Sequence, residues 1–305
     1  MISSVTVSVP GTTANLGPGF DCIGAALTVY NQFQFTLVPE AASDLTITVT
    51  GTEASRVTTD KTNLAYQSFA RFYQHLGKTV PKIAIHVQLG VPLARGLGSS
   101  ATAIVGGLVG ANELAGNPLS SSEVMELAIA MEGHPDNVVP ALLGNCQLSV
   151  GEAGNWQICP IPWHLDVIPV VAIPNFELST QEARSVLPIQ FSRADAIFNI
   201  ARLGLLTRGL ETGNPDWLKM ALEDKIHQPY REKLITGYQE VKKAARDAGA
   251  HGMVISGAGP TLLALTDPNH GEAVVTAMAN AWMQKGIEAE VRSLSLDNQG
   301  ATILY

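Results

Sequence analysis

The sequence predicts an α+β chain in two parts, and three observations carry that expectation. Short stretches alternate apolar and polar residues, as at Val5, Val7 and Val9 or at Ile83, Ile85 and Val87, which is the period of a half-buried strand. Other runs, such as Val124, Leu127, Ala128 and Met131, have the spacing of a helical apolar stripe. The third observation is a length of 305 residues, with Pro160-Ile161-Pro162 breaking it near the middle. The expected domains are 1–159 and 160–305.

Taken in order, a first strand around residues 5–9 is expected to end at Pro10. The Gly/Pro/Asn-rich stretch 11–21 then reads by composition as a turn-rich loop. It holds Asn15 and Asp21, side chains with little reason to be buried except to bind something. Phe33, Phe35 and Leu37 alternate as a strand, as do Leu45, Ile47 and Val49. Thr62 or Asn63 caps a helix running to Leu76. After the strand at 83–89 comes a Gly/Ser loop, then a small apolar helix over 101–115. A second helix, 120–132, has Ser120, Ser121 and Ser122 as possible caps. Gly133 stops it, and Pro135 is expected to prevent its resumption.

Strands at 146–150 and 156–158 lead to the boundary, and 166–173 reads as a buried strand. Ser179 or Thr180 caps a short helix. Helices over 192–211, 216–222 and 232–248 follow. Strands at 253–255 and 262–265, a helix over 272–285 and a strand at 289–294 give the alternation of a ferredoxin-like half. Residues 302–304 could add a last strand.

Composition narrows the function. The chain is 46% hydrophobic and 15% charged, as in a soluble globular protein. A formal charge of −8 without a Lys/Arg cluster argues against nucleic acid as a partner. The longest apolar run is too short for a membrane span, and the N-terminus lacks the pattern of a signal peptide. Cys22, Cys146 and Cys159 are odd in number and read as reduced core thiols of a cytoplasmic protein.

The chemistry concentrates in Pro92-Leu93-Ala94-Arg95-Gly96-Leu97-Gly98-Ser99-Ser100-Ala101, between a strand and a helix. Gly96 and Gly98 let the backbone approach a ligand, and Ser99 and Ser100 can cap the helix or bind an oxyanion. The free N–H groups and dipole of a helix start suit phosphate. A Ser-capped helix after a glycine turn would read the same way without a ligand. The dinucleotide pattern Gly96-x-Gly98-x-x-Ala101 lacks its acid after a second strand, and Gly77-Lys78-Thr79 ends a helix where a P-loop starts one, so both are set aside. A second cluster, Glu132-Gly133-His134-Pro135-Asp136-Asn137, puts two carboxylates, an imidazole and an amide within six residues. Such a group is costly to bury unpaired, although a surface turn could hold it without function.

On these residues the chain resembles the GHMP kinases. Every fixed position of their central motif, Pro-x-x-x-Gly-Leu-Gly-Ser-Ser-Ala, is present at 92–101. Asn15-Leu16-Gly17-Pro18-Gly19-Phe20-Asp21 resembles the first motif of the members that act on L-homoserine, as do the Glu132–Asn137 segment, Ser179-Thr180-x-x-Ala183-Arg184 and His227-Gln228-Pro229-Tyr230-Arg231. Ser256-Gly257-Ala258-Gly259-Pro260-Thr261 is similar to the third motif. Asn145 and Ala258 depart from the common Gly and Ser, which touches loop geometry rather than chemistry.

The resemblance implies a GHMP kinase fold: an N-terminal ribosomal-protein-S5-like domain, a C-terminal ferredoxin-like domain and the active site between them. It implies ATP-dependent phosphorylation of L-homoserine to O-phospho-L-homoserine on the way to threonine, with Mg2+, by a homodimer. Asn63, Pro92, Leu93, Ala94, Arg95, Gly96, Leu97, Gly98, Ser99, Ser100, Ala101 and Thr102 would then meet the nucleotide, with Lys61 and Thr62 beside adenine. Glu132 with Ser100 would hold the metal, Glu126 being the alternative. Asn15 and Asn137 would orient the hydroxyl without a carboxylate base. Asp21 and Asp136 would meet the ammonium, Arg184 and Arg231 the carboxylate, and His134 lies in the same substrate segment. His227 reads as a structural hydrogen-bonder. The rivals are a GHMP kinase for mevalonate or a sugar, and a catalytically silent ligand sensor.

Overall fold

The computed structural model describes residues 3–39, 43–152 and 154–304. Strands β1 (Ser4–Ala14) and β2 (Ile23–Leu37) pair antiparallel over nearly their whole length. The first strand was expected to end at Pro10 but continues to Ala14. The ladder shifts register between Pro10 and Gly11, and this bulge accommodates a residue with no N–H to donate. Thr12 and Thr13 are therefore fully buried strand residues, not loop residues.

Strand β3 (Leu45–Thr50) leads to α1 (Leu64–His75), capped by Asn63, whose side chain accepts from the N–H groups of Ala65 and Tyr66. Strand β4 (Ile83–Gln88) lies between β2 and β3, parallel only to β3. Helix α2 (Ser99–Leu114) starts after Gly98, which takes φ 67°. Ser99 and Ser100 thus sit in the first turn and do not cap it. In α3 (Ser121–Glu132) Ser120 and Glu123 form a capping box.

Pro135 does the opposite of what its position suggested. It opens α4 (Pro135–Leu143), at a position where a helix N–H has no partner anyway. Strands β5 (Cys146–Glu152) and β6 (Asn155–Ile161) form a hairpin on the far part of β2. Phe33, Phe35, Phe69 and Phe72, each at most 2% exposed, anchor the core between this sheet and the helices. Each contributes on the order of 2–3 kcal/mol.

The second half contains β7 (Ile168–Pro174), α5 (Thr180–Ser185), α6 (Arg193–Thr212), α7 (Pro215–Ala221) and α8 (Gln228–Arg231). The one helix expected over 232–248 is split. A 3-10 turn at Glu232–Leu234 comes first, and α9 (Tyr238–Asp247) starts after Gly237, whose φ is 80°. Then come β8 (Gly252–Ile255), β9 (Leu262–Thr266), α10 (Gly271–Met283) and β10 (Ala289–Ser293). The sheet order β10-β7-β9-β8, all antiparallel, is the ferredoxin-like arrangement.

Helices α9 and α10 cover one face of this sheet through Tyr238, Val241, Val274, Met278 and Trp282. Val171, Ile173, Leu263 and Leu265 lie on the other side, in a core shared with Ile23, Leu27, Val91 and Leu97 of the first half. The junction between the halves is thus apolar and close-packed, which holds any site built across it rigidly. The chain end returns across it: β11 (Thr302–Leu304) pairs antiparallel with β1, extending the first sheet.

The cysteines are free, but they are not all core thiols. Cys146 is buried, Cys22 is half-buried and Cys159 is exposed. No helix among the described residues is long and apolar enough to cross a membrane.

Candidate active site

A cavity of about 360 Å³ opens at the junction, lined from both halves. One wall is the loop before α2. Gly96 (φ 76°) and Gly98 (φ 67°) are both in the left-handed region. A Cβ at Gly96 would stand 2.3 Å from the Ser256 carbonyl oxygen, and one at Gly98 would stand 2.0 Å from Thr12 Oγ1. Only glycine fits either place. The loop between β8 and β9 braces this wall: Ser256 Oγ donates to the Gly96 carbonyl (2.6 Å), and the Thr261 N–H donates to the Arg95 carbonyl (3.2 Å). Gly96, Gly98, Ser99 and Ser100 face the cavity at the positive end of a 16-residue helix, which suits phosphate.

Ser100 Oγ donates to Glu132 Oε1 at 2.9 Å, joining the starts of α2 and the end of α3. Burial raises the Glu132 carboxyl above its ordinary range, against the hydrogen bond from Ser100. A half-desolvated carboxylate beside a phosphate-binding helix start gains from a cation. One carboxylate and one hydroxyl fit Mg2+ that is also held by phosphate oxygens and water. Among the described residues no group of three or more His, Cys, Asp and Glu could hold a metal alone. Glu132 lines the cavity and Glu126 is not among the lining residues.

The opposite wall carries charge. Arg184, at the end of α5, donates two hydrogen bonds to Asp21 (3.0 and 2.7 Å). Arg231 is 2% exposed and donates to the carbonyls of Ala183 (3.0 Å) and Gly257 (3.2 Å). Burial, with Arg184 adding repulsion, brings its guanidinium down to about 10, still protonated at neutral pH. Both guanidinium groups lie over the ring of Phe20, at 5.7 and 5.1 Å from its centroid. His134 Nδ1 lies 2.6 Å from Asp136 Oδ1. Burial lowers the imidazole, but the hydrogen bond and charge of Asp136 outweigh it, and the net shift is upward.

Two amides stand between these walls. Asn15 Nδ2 donates to the Gly257 carbonyl (2.7 Å), and its Oδ1 accepts from the Asp21 N–H (3.0 Å). Asn137 Oδ1 accepts from Thr12 Oγ1 (2.8 Å). The catalytic, metal and substrate candidates Asn15, Asp21, Glu132, His134, Asp136, Asn137, Arg184 and Arg231 all line this one cavity, with Ala94, Arg95, Gly96, Gly98, Ser99 and Ser100.

The other nucleotide candidates are placed differently. Leu97 and Ala101 are buried in the core. Thr102 is buried too, bonded to Asn31 and to the Ser99 carbonyl. Pro92 and Leu93 lie outside the cavity lining, and Asn63 is committed to capping α1. The Arg95 guanidinium is taken up by protein groups outside the start of α2. It donates to the carbonyls of Pro174 and Leu93 and pairs with Glu177 at 3.2 Å and Glu53 at 3.6 Å. His227 is structural as expected: fully buried, stacked on Phe20 and 2.9 Å from the Gly17 carbonyl.

Sequence reading missed Thr12, Phe20 and the carbonyl of Gly257. The Gly/Ser composition of the third motif is the signal that could have found Gly257. Nothing local marked Thr12, whose partner is 125 residues away.

This fold and site define a class. Family profiles for the GHMP kinases' N-terminal domain and C-terminal region match residues 63–145 and 206–284, and the chain belongs to the GHMP kinases. More particularly, it is 72% identical over 302 residues to a homoserine kinase of Crocosphaera subtropica, covering 99% of this chain and 98% of that one. A homoserine kinase of Nostoc punctiforme is 68% identical, covering 99% and 98%. The crystal structure of homoserine kinase from Cytophaga hutchinsonii superposes with a TM-score of 0.90 at 30% identity, covering 100% of this chain and 98% of that one. Mevalonate kinase from L. major shares the fold at 18% identity, with a TM-score of 0.72 and 95% of each chain covered.

Proposed function

We propose that this chain transfers the γ-phosphoryl group of ATP to the side-chain hydroxyl of L-homoserine, forming O-phospho-L-homoserine for threonine biosynthesis. The observation that carries this reading is one cavity with two kinds of wall. A glycine-shaped helix start with the Ser100–Glu132 pair faces two arginines and two aspartates. The relatives named homoserine kinase support the choice of substrate.

In this reading the N–H groups of the Gly96–Ser100 loop and the start of α2 take up the phosphates. Mg2+, held by Glu132 and Ser100 when bound, supplies positive charge where the transferring group needs it. Arg184 and Arg231 take the substrate carboxylate in their planar forks, and Asp21 and Asp136 take its ammonium. The charges are already sorted for this. Asp21 pairs with Arg184, so an entering zwitterion exchanges partners and leaves no charge unpaired. An amide cannot accept the hydroxyl proton as a carboxylate would, so Asn137 orients and does not deprotonate. Phosphoryl transfer can proceed largely by positioning and charge stabilisation.

A sugar or mevalonate has no ammonium to take the place of Arg184 on Asp21, and a sugar has no carboxylate for the arginines to receive in exchange. The test is ADP release by the purified chain with Mg2+ and ATP, offered L-homoserine, mevalonate or galactose. Homoserine-dependent release well above the other two is expected. Equal use of mevalonate or galactose would contradict the substrate, and no release with any of them would contradict the activity.

A further inference from the structure

The geometry points to Thr12 as a positioning residue that sets which end of the Asn137 amide faces the reacting hydroxyl. It deepens the proposed function and rests on it. Thr12 is fully buried in β1, and its hydroxyl donates to Asn137 Oδ1 at 2.8 Å. On its other side, Asn137 Nδ2 lies 3.5 Å from Asp136 Oδ1. Turning the amide over would set its oxygen against that carboxylate, so both neighbours favour the same orientation. With Oδ1 turned to Thr12, the end of the Asn137 amide left to face the substrate is its N–H. It therefore donates a hydrogen bond to oxygen at the acceptor site and leaves the hydroxyl proton alone.

The same bond is tied to the phosphate loop. The Thr12 N–H donates to the Leu97 carbonyl at 3.0 Å. The Cα of Gly98 lies directly against the Thr12–Asn137 contact: an added Cβ would be 2.0 Å from Thr12 Oγ1 and 3.2 Å from Asn137 Oδ1. Glycine at 98 thus leaves room for this hydrogen bond as well as for phosphate. Thr12 thus ties the loop that holds the donor, through its N–H, to the amide that orients the acceptor, through its hydroxyl. A misplacement of either costs rate more than affinity.

Thr12→Val keeps the shape and removes the donor, and Thr12→Ser keeps the donor. Thr12→Val should lower kcat about tenfold or more, the size of one buried hydrogen bond. KM for ATP and homoserine should stay within about twofold, since the loss falls in the transition state. Thr12→Ser should stay near the parent. In an Asn137→Ala background, Thr12→Val should cost nothing further. An equal loss in that background, or Thr12→Ser as slow as Thr12→Val, would show a role in packing alone and overturn the assignment.

A second readout does not depend on turnover. The side-chain amide signals of Asn137 in 15N-labelled protein, assigned by their loss in Asn137→Ala, should shift in Thr12→Val and not in Thr12→Ser. Gly98→Ala reaches the same bond from the opposite side and should shift them too. Signals unmoved by both Thr12→Val and Gly98→Ala would overturn the assignment. If the parent lacks homoserine turnover, the proposed function fails while these signals still decide the role of Thr12.

Discussion

At the end of the cavity that the proposed function gives to the nucleotide the chain offers backbone; at the end it gives to the acceptor the chain offers charge. The loop before α2 works through N–H groups and two left-handed glycines, and its one long cation, Arg95, is spent on carbonyls and on Glu53 and Glu177. The acceptor wall works through Asp21, Asp136, Arg184 and Arg231, with Asp21 paired to Arg184, Asp136 to His134 and Arg231 to carbonyls. A backbone site is fixed by covalent geometry and tolerates almost no added atom. A charged site is held by interactions that a ligand can take over. Substitutions should therefore fail abruptly at the first end and by degrees at the second.

The largest effect is expected at Gly98 and Glu132. Gly98→Val forces a branched Cβ into Thr12 and a positive φ, and should abolish measurable ATP binding by calorimetry while the far-ultraviolet dichroism stays native. Glu132→Gln should lower kcat by a factor on the order of 100 or more, with homoserine affinity kept, because charge neutralisation matters most in the transition state. If Glu126→Gln were the inactive variant instead, the metal assignment would move.

Next come the arginines. A charged hydrogen bond is worth about 1.5–3 kcal/mol, so Arg231→Leu should cut kcat/KM for homoserine roughly 10- to 150-fold. Arg184→Leu should cost less, because its side chain is 38% exposed and solvent screens it. Steady-state kinetics on both variants checks the order. At the nucleotide end, Arg95→Met should leave KM for ATP within about threefold, since its partners are peptide carbonyls and partly exposed carboxylates.

The smallest effect is a pH dependence. His134 has its proton affinity raised by Asp136, so the pair's contribution to stability is complete below the ordinary histidine value of about 6.5 and is lost as pH rises through the raised one. The melting-temperature advantage of the parent over His134→Gln should shrink as pH rises above about 6.5. An advantage that grew with pH would mean that the imidazole is held neutral.

The same contrast explains what the sequence could reveal. The glycine loop that opens α2 was legible because glycine and serine at fixed spacing act locally, within ten residues. Strands β3 and β4, a cap at Thr62 or Asn63 and the strand–helix alternation of the second half followed from period and turn residues for the same reason. The continuation of β1 past Pro10, the start of α4 at Pro135 and the return of β11 to β1 depend on partners far along the chain, which local propensity does not register. Arg95 is the clearest case. Its place in the motif suggested phosphate, but the peptide carbonyls of Pro174 and Asn175 claim its side chain. Thr12 escaped notice because its meaning lies in an amide 125 residues on.

The central claim is that the acceptor wall recognises an amino acid and not merely an alcohol. It is tested most directly by comparing kcat/KM for L-homoserine and for its decarboxylated analogue, 3-aminopropanol, in the parent and in Arg231→Leu. The account predicts that the parent strongly prefers homoserine and that the variant loses most of that preference, through a fall in homoserine use with little change for the analogue. A preference that survives the substitution would place the carboxylate elsewhere and contradict the account.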